Sequence, residues 1–160
     1  MAIYAVLDEV TESECDVIVL HSEEPIPEEI LPNGWVLPAD IRISMAQDEE
    51  NADDIYCLYV IRRVFPVWEG DTPEAREELA ECYRSCLQLA VEHDCRGAAF
   101  PLVSAGGSGC PVDIETEIAV ETIRAFQETH VIDVELYFDS EEDCGNCMER
   151  FPEVEEGPAD

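Results

Sequence analysis

Residues 97–111 place a loop of small residues between a short apolar segment and a helical pattern. The apolar segment 98–103 is too short for a helix, and the helical pattern resumes at Asp113. A loop with few side chains lets backbone N–H groups approach a phosphate, and the following helix adds the positive end of its dipole. The alternative is a tight turn that binds no ligand. The loop residues are Ser104, Ala105, Gly106, Gly107, Ser108, Gly109 and Cys110.

A histidine follows an apolar, strand-like segment near the N-terminus. His21 stands beside Ser22 and Glu23 at the end of residues 16–20, where a parallel strand would open into a cleft. Imidazole titrates near neutral pH, so His21, or the carboxylate of Glu23, could act as a general base. The alternative is a structural histidine at a strand end.

Two adjacent bases, Arg62 and Arg63, lie in the β-branched and aromatic segment 55–64. On a strand, neighbouring side chains point to opposite faces, so at most one of them can face a cleft. Arg62 could bind a carboxylate or phosphate through two hydrogen bonds. The alternative is an ion pair with one of the many acidic residues.

The cysteines predict a reduced, structural set. There are eight, scattered through predicted strands and helices. Cys144 and Cys147 form a CxxC pattern that suits redox exchange or half of a zinc site, but a second pair is needed for four ligands. Cys82 and Cys86 fall on the apolar face of a predicted helix and serve better as core residues. We therefore predict neither a metal site nor a cofactor.

The order of elements predicts an α/β fold with a mainly parallel sheet. Residues 3–7, 16–20 and 132–138 have strand patterns, and a helix begins after Thr72, an N-cap residue followed by Pro73. Strands separated by helices form parallel sheets that bind ligands at the carboxyl ends of their strands. We predict one domain over residues 1–151 and an acidic, flexible tail over residues 152–160.

The charge of the chain is strongly negative. Aspartate and glutamate number 39 against eight basic residues, all arginine, for a formal net charge of −31. Such a surface repels nucleic acids and anionic membranes. With no long apolar run and no basic signal-like start, the sequence predicts a cytoplasmic protein. The acidity itself indicates a salt-adapted, soluble surface or, alternatively, a surface for a basic partner.

Four segments in order resemble the macro domain family, whose members bind ADP-ribose. They are VIRRVFPVW from Val60, ECYRSCLQLA from Glu81, AFPLVSAG from Ala99 and IAVETI from Ile118. The resemblance implies a three-layer α/β/α fold with a mainly parallel mixed sheet. It implies that the loop 104–110 binds the diphosphate and proximal ribose. The resemblance also extends to the strand that ends at Phe138. We include Phe138 among the ligand-binding residues.

The N-terminal half departs from the family pattern. Glu9 takes the place of the acid that contacts the adenine, and residues 20–23 replace the asparagine-rich run at the ribose. Arg62 replaces the family's histidine. The first glycine loop is replaced by residues 24–32, which carry three prolines and three glutamates that repel a diphosphate.

Three hypotheses follow from these observations. The first is a macro-like protein that binds ADP-ribose or a related nucleotide diphosphate, with hydrolysis doubtful. The second is a macro fold that has lost its ligand and acts as an acidic module that binds other proteins. The third is an active hydrolase of ADP-ribosyl or O-acetyl-ADP-ribose linkages, in which His21 or Glu23 replaces the missing asparagine.

Overall fold

The computed structural model describes residues 2–22, 29–30, 36–37, 41–49, 53, 55–102 and 109–157. Within these ranges there are nine strands and three α-helices. The strands are β1 (Ile3–Leu7), β2 (Val17–Ser22), β3 (Glu29–Ile30), β4 (Val36–Leu37), β5 (Ile41–Met45), β6 (Tyr59–Val64), β7 (Gly97–Leu102), β8 (Asp133–Phe138) and β9 (Val154–Glu156). The helices are α1 (Pro73–Glu92), α2 (Val112–Gln127) and α3 (Glu141–Arg150).

Seven strands form one mixed sheet in the order β5-β6-β2-β7-β8-β1-β9. All neighbouring pairs are parallel except β5 and β6, which are antiparallel. β3 and β4 form a separate antiparallel pair. The predicted α/β class with a mainly parallel mixed sheet is confirmed.

All three α-helices contribute to the hydrophobic core on one face of the sheet. Ile3 and Ala5 of β1 and Val17 and Val19 of β2 belong to this core, together with Leu87 of α1 and Ile123 of α2. A second, smaller cluster lies on the other face and, in the part of the chain that the structure describes, contains no α-helical residue. There the described cover includes two single-turn 3-10 helices, Val10–Glu12 and Ala46–Asp48.

The predicted start of α1 is confirmed in detail. Thr72 has an extended backbone, and its Oγ1 accepts a hydrogen bond of 3.1 Å from the N–H of Ala75. Pro73 occupies the first helical position, where the missing N–H costs nothing. Cys82 and Cys86 lie on the buried face, as their spacing predicts.

The C-terminal segment differs from the predicted flexible tail. Val154–Glu156 forms β9, which pairs in parallel with β1, and Val154 is only 4% exposed. Gly157 continues this contact, because its N–H donates to the carbonyl of Ala5 at 2.8 Å. A single buried valine and backbone pairing are enough to order this acidic segment; residues 158–160 lie outside the described ranges.

No helix in the described ranges combines the length and the apolar character needed to span a bilayer.

Candidate functional site

The carboxyl ends of five parallel strands meet at one edge of the sheet, which we call the carboxyl edge. Because β1, β2, β6, β7 and β8 run in the same direction, the residues that follow them lie on the same side of the molecule. The strands end here at Leu7, Ser22, Val64, Leu102 and Phe138. The predicted loop after β7 therefore opens at this edge.

The junction between β7 and α2 has the backbone geometry that the glycine-rich sequence predicts at its described end. Gly109 adopts a φ of +83°, a left-handed conformation that residues with a Cβ rarely adopt. Cys110 is buried, and α2 begins after Pro111 without a side-chain cap from a described residue. The helix thus directs its N-terminal dipole end toward the carboxyl edge. Ser104, Ala105, Gly106, Gly107 and Ser108 lie outside the described residues.

A buried hydrogen bond ties α1 to the first turn of α2. The hydroxyl of Tyr83, which is fully buried, donates to Oε2 of Glu115 at 2.8 Å. Burial and the neighbouring Glu115 carboxylate raise the pKa of Tyr83 well above its ordinary value. The Tyr83 ring also lies 5.0 Å from that of Phe100 on β7. This contact fixes α2, and hence the end of the loop, against the core.

No sequence motif singles out Glu115. It shares a helical face with Ile118, Ala119 and Thr122, all of which are buried. That spacing predicts an inward-facing position, and a glutamate there needs a donor inside the protein.

His21 lies at the carboxyl edge, as predicted, but in an apolar setting. Its ring centroid is 4.1 Å from that of Phe65, which follows β6. Its Nε2 is buried and has no hydrogen-bond partner among the residues that the structure describes. Desolvation lowers the pKa of His21 to about 4, so the imidazole is neutral at physiological pH and a weak base. Glu23, the other catalytic candidate, lies outside the described residues.

Two predicted ligand-binding residues, Glu9 after β1 and Phe138 at the end of β8, differ in how exposed they are. Glu9 is exposed two residues after the end of β1. Phe138 is completely buried in the core beneath the edge. Its ring has no exposed surface in this arrangement, and the contact of Phe138 with a ligand stays a prediction. The strand pattern put Phe138 on the helix-covered face.

Arg62 and Arg63 point to opposite faces of β6, as predicted. Arg62 forms an ion pair with Glu49 on the face away from the α-helices. Arg63 is buried on the helix side, where its Nε donates to Oγ of Ser85 at 3.2 Å. The internal ion pair considered for Arg62 is therefore formed.

The cysteines behave as core residues. All eight lie in the described part of the chain, and none is joined in a disulfide. Burial raises the pKa of the Cys147 thiol to about 11, and it also raises the pKa of the Cys144 thiol. Both lie on the buried side of α3, while Met148 and Phe151 pack against the core. Within the described ranges, no group of three or more histidine, cysteine, aspartate or glutamate side chains is placed to hold a metal ion.

An α/β domain with a glycine junction at the carboxyl edge of its sheet is a class of protein that binds phosphorylated ligands. Comparison with known proteins shows which members of this class the chain is similar to. The sequence model of the Macro domain matches residues 49–119. A point mutant of the Oceanobacillus iheyensis macrodomain matches with a TM-score of 0.72 and 25% identity over 92% of this chain and 89% of that one. Residues 49–119 thus match the macro domain family, and the fold over 92% of the chain is that of a macrodomain.

Two curated relatives match over part of their length. A macro domain-containing protein of Chlorobaculum tepidum is 48% identical over 66 residues, which are 41% of this chain and 38% of that protein. An O-acetyl-ADP-ribose deacetylase of Salmonella gallinarum is 40% identical over 79 residues, 49% of this chain and 44% of the enzyme. The matched region thus spans about two fifths of these relatives. The Oceanobacillus iheyensis macrodomain with ADP matches with a TM-score of 0.71, 24% identity and coverage of 92% and 88%.

Proposed function

We propose that this protein binds ADP-ribose or a related nucleotide diphosphate at the carboxyl edge of its sheet. The observation that carries the proposal is the junction of β7 and α2, where the left-handed Gly109 precedes an N-terminus uncapped by described side chains. The backbone N–H groups of residues 104–110 and the α2 dipole would bind the diphosphate. Glu9 and Arg62 remain candidate contacts at the periphery of this site. Support also comes from the macrodomain relative with bound ADP.

Binding should depend on the left-handed conformation at Gly109. Gly109→Val should weaken ADP-ribose binding at least tenfold, because valine at a φ of +83° forces the junction to rearrange. The matched control is Gly145→Ala in α3, where the added Cβ meets nothing within 4 Å. Isothermal titration calorimetry with ADP-ribose measures the affinity of both variants. Equal affinity of Gly109→Val and wild type would place the ligand elsewhere, and no binding by wild type would refute the proposal.

Hydrolysis is not part of the proposed function. His21, with a pKa near 4, is a weak base, and its side chain packs against Phe65. We expect no measurable release of ADP-ribose from mono-ADP-ribosylated protein at neutral pH. Chromatographic detection of free ADP-ribose against a no-enzyme control measures this. Turnover that is lost in His21→Ala or Glu23→Ala would show instead that the chain is a hydrolase.

A further inference from the structure

An apolar groove of about 550 Å³ opens between the end of β6 and the first half of α1. We call it the β6–α1 groove. Val64, Phe65 and Pro66 line it on one side, and Cys82 of α1 lines it on the other. Its apolar lining suits a side chain with a hydrocarbon portion.

The β6–α1 groove shares a wall with the carboxyl edge. Phe65, which lines the groove, is in ring contact with His21 at the end of β2. In the sheet, Arg63 and Val64 are the register partners of His21 and Ser22. The groove therefore adjoins the part of the carboxyl edge where β2 and β6 end.

The rim of the groove is acidic. Glu77, Glu78 and Glu81 project from α1 along it, and the side chains of Glu77 and Glu81 are 69% and 59% exposed. Arg84 forms ion pairs with both Glu77 and Glu81, so one guanidinium of the chain itself lies on this surface. Three carboxylates against one guanidinium leave the rim with a net negative charge.

The buried base of the groove does not cancel this charge at the surface. Arg63 is only 8% exposed, and its guanidinium is directed inward. Nε donates to Ser85, and Nη1 donates to the carbonyl of Val64 at 2.7 Å. A guest that enters from solvent meets the glutamates first.

We propose that the β6–α1 groove binds the polypeptide that carries an ADP-ribosyl group, and that it selects a segment with arginine or lysine next to an apolar residue. The apolar residue would pack on Val64 and Pro66, while the basic side chain would lay its aliphatic stem in the groove and its charge at the rim. Nucleic acids and anionic lipids are excluded as guests, because the glutamates repel them. This inference rests on the proposed binding of ADP-ribose at the adjoining edge.

The test uses two synthetic peptides that are mono-ADP-ribosylated on a central serine. In the first peptide the serine lies between an arginine and a valine. In the second peptide a glutamate takes the place of the arginine. Isothermal titration at physiological salt gives the Kd of each peptide and of free ADP-ribose. We expect the basic peptide to bind about tenfold more tightly than the acidic one, the scale expected for two partly exposed ion pairs.

The double variant Glu78→Gln, Glu81→Gln should reduce the preference between the peptides to less than about threefold and leave the affinity for free ADP-ribose unchanged. The control variant Glu121→Gln, Glu128→Gln makes the same change in charge at two exposed positions, one within α2 and one directly after it, and should keep the full preference. Equal binding of both peptides by a wild type that binds free ADP-ribose would overturn the groove proposal alone. No binding of free ADP-ribose would overturn the proposed function and this inference with it.

Discussion

The melting temperature of the protein should rise by roughly 10 °C when potassium chloride is raised from about 0.05 M to about 1 M. The chain carries 39 acidic residues and eight arginines. Arg76 already pairs with Asp71 and Glu117, and Arg124 pairs with Glu153, so the remaining carboxylates repel one another with little compensation. Salt at about 1 M shortens the screening length to about 3 Å and removes most of this repulsion between exposed groups.

Scanning calorimetry over the salt series measures the effect. A variant with Glu121, Glu128 and Glu149 changed to glutamine should melt higher than wild type at low salt and at nearly the same temperature at high salt, since all three are exposed. A melting temperature that is constant or falls with salt would mean that repulsion among carboxylates does not limit stability.

The same charge acts on the ligand. ADP-ribose is an anion and approaches a chain with a formal charge of −31, so long-range repulsion opposes its binding while the backbone dipoles near Gly109 attract only at contact. Affinity should hold or rise from low to physiological salt. Basic phosphate sites behave in the opposite way. A steep loss of affinity with salt would indicate instead that a basic side chain contacts the ligand, with Arg62 as the candidate.

The free energy of unfolding should fall steeply above about pH 9. Burial raises the pKa of Cys15, Cys95 and Cys110 from 9.0 to about 12, and that of Cys147 to about 11. These thiols keep their protons in the folded state at a pH where the unfolded chain releases them. Their contribution to the free energy of unfolding is therefore complete below about pH 9. It is lost as the pH rises toward 11 or 12, by up to about 1.4 kcal/mol per pH unit for each thiol.

Urea unfolding at pH 7, 9 and 10, with a reductant present, tests this prediction. Cys95→Ala should lower stability at pH 7 because it leaves a cavity, and should make the decline between pH 9 and 10 shallower by one thiol's share. The control Gln88→Ala, at an exposed position on α1, should leave the slope unchanged. Rapid reaction of all the thiols of the native protein with Ellman's reagent at pH 7.5, or stability independent of pH, would contradict it.

Local patterns in the sequence predicted the elements whose signals are short in range. The cap at Thr72 and the apolar face of α1 identified that helix, and β1 was evident as an apolar run. β5 was missed, although Ile41 and Ile43 alternate with exposed residues in the manner of a half-buried edge strand. β9 was missed because Pro152 and the surrounding acids are typical of a tail, and its order comes from pairing with β1.

The candidate site was only partly predictable, because its geometry depends on residues far apart in the chain. The hydrogen bond between Tyr83 and Glu115 joins residues 32 positions apart. The contact between His21 and Phe65 joins the ends of two neighbouring strands, β2 and β6. The sequence indicated that His21 lies at a strand end. Whether it titrates near neutral pH depends on its apolar neighbours, which no local pattern reveals.

The position of β1 between β8 and β9 has a consequence for the order in which the protein acquires its structure. As the ribosome adds residues in chain order, β2, β6 and β7 can assemble as soon as β7 has been made, whereas Ile3–Leu7 pairs only with strands made more than 120 residues later. Contacts so distant along the chain close slowly. While residues 8–132 are being made, the apolar segment IYAVL therefore lacks its strand partners and is open to wrong pairing.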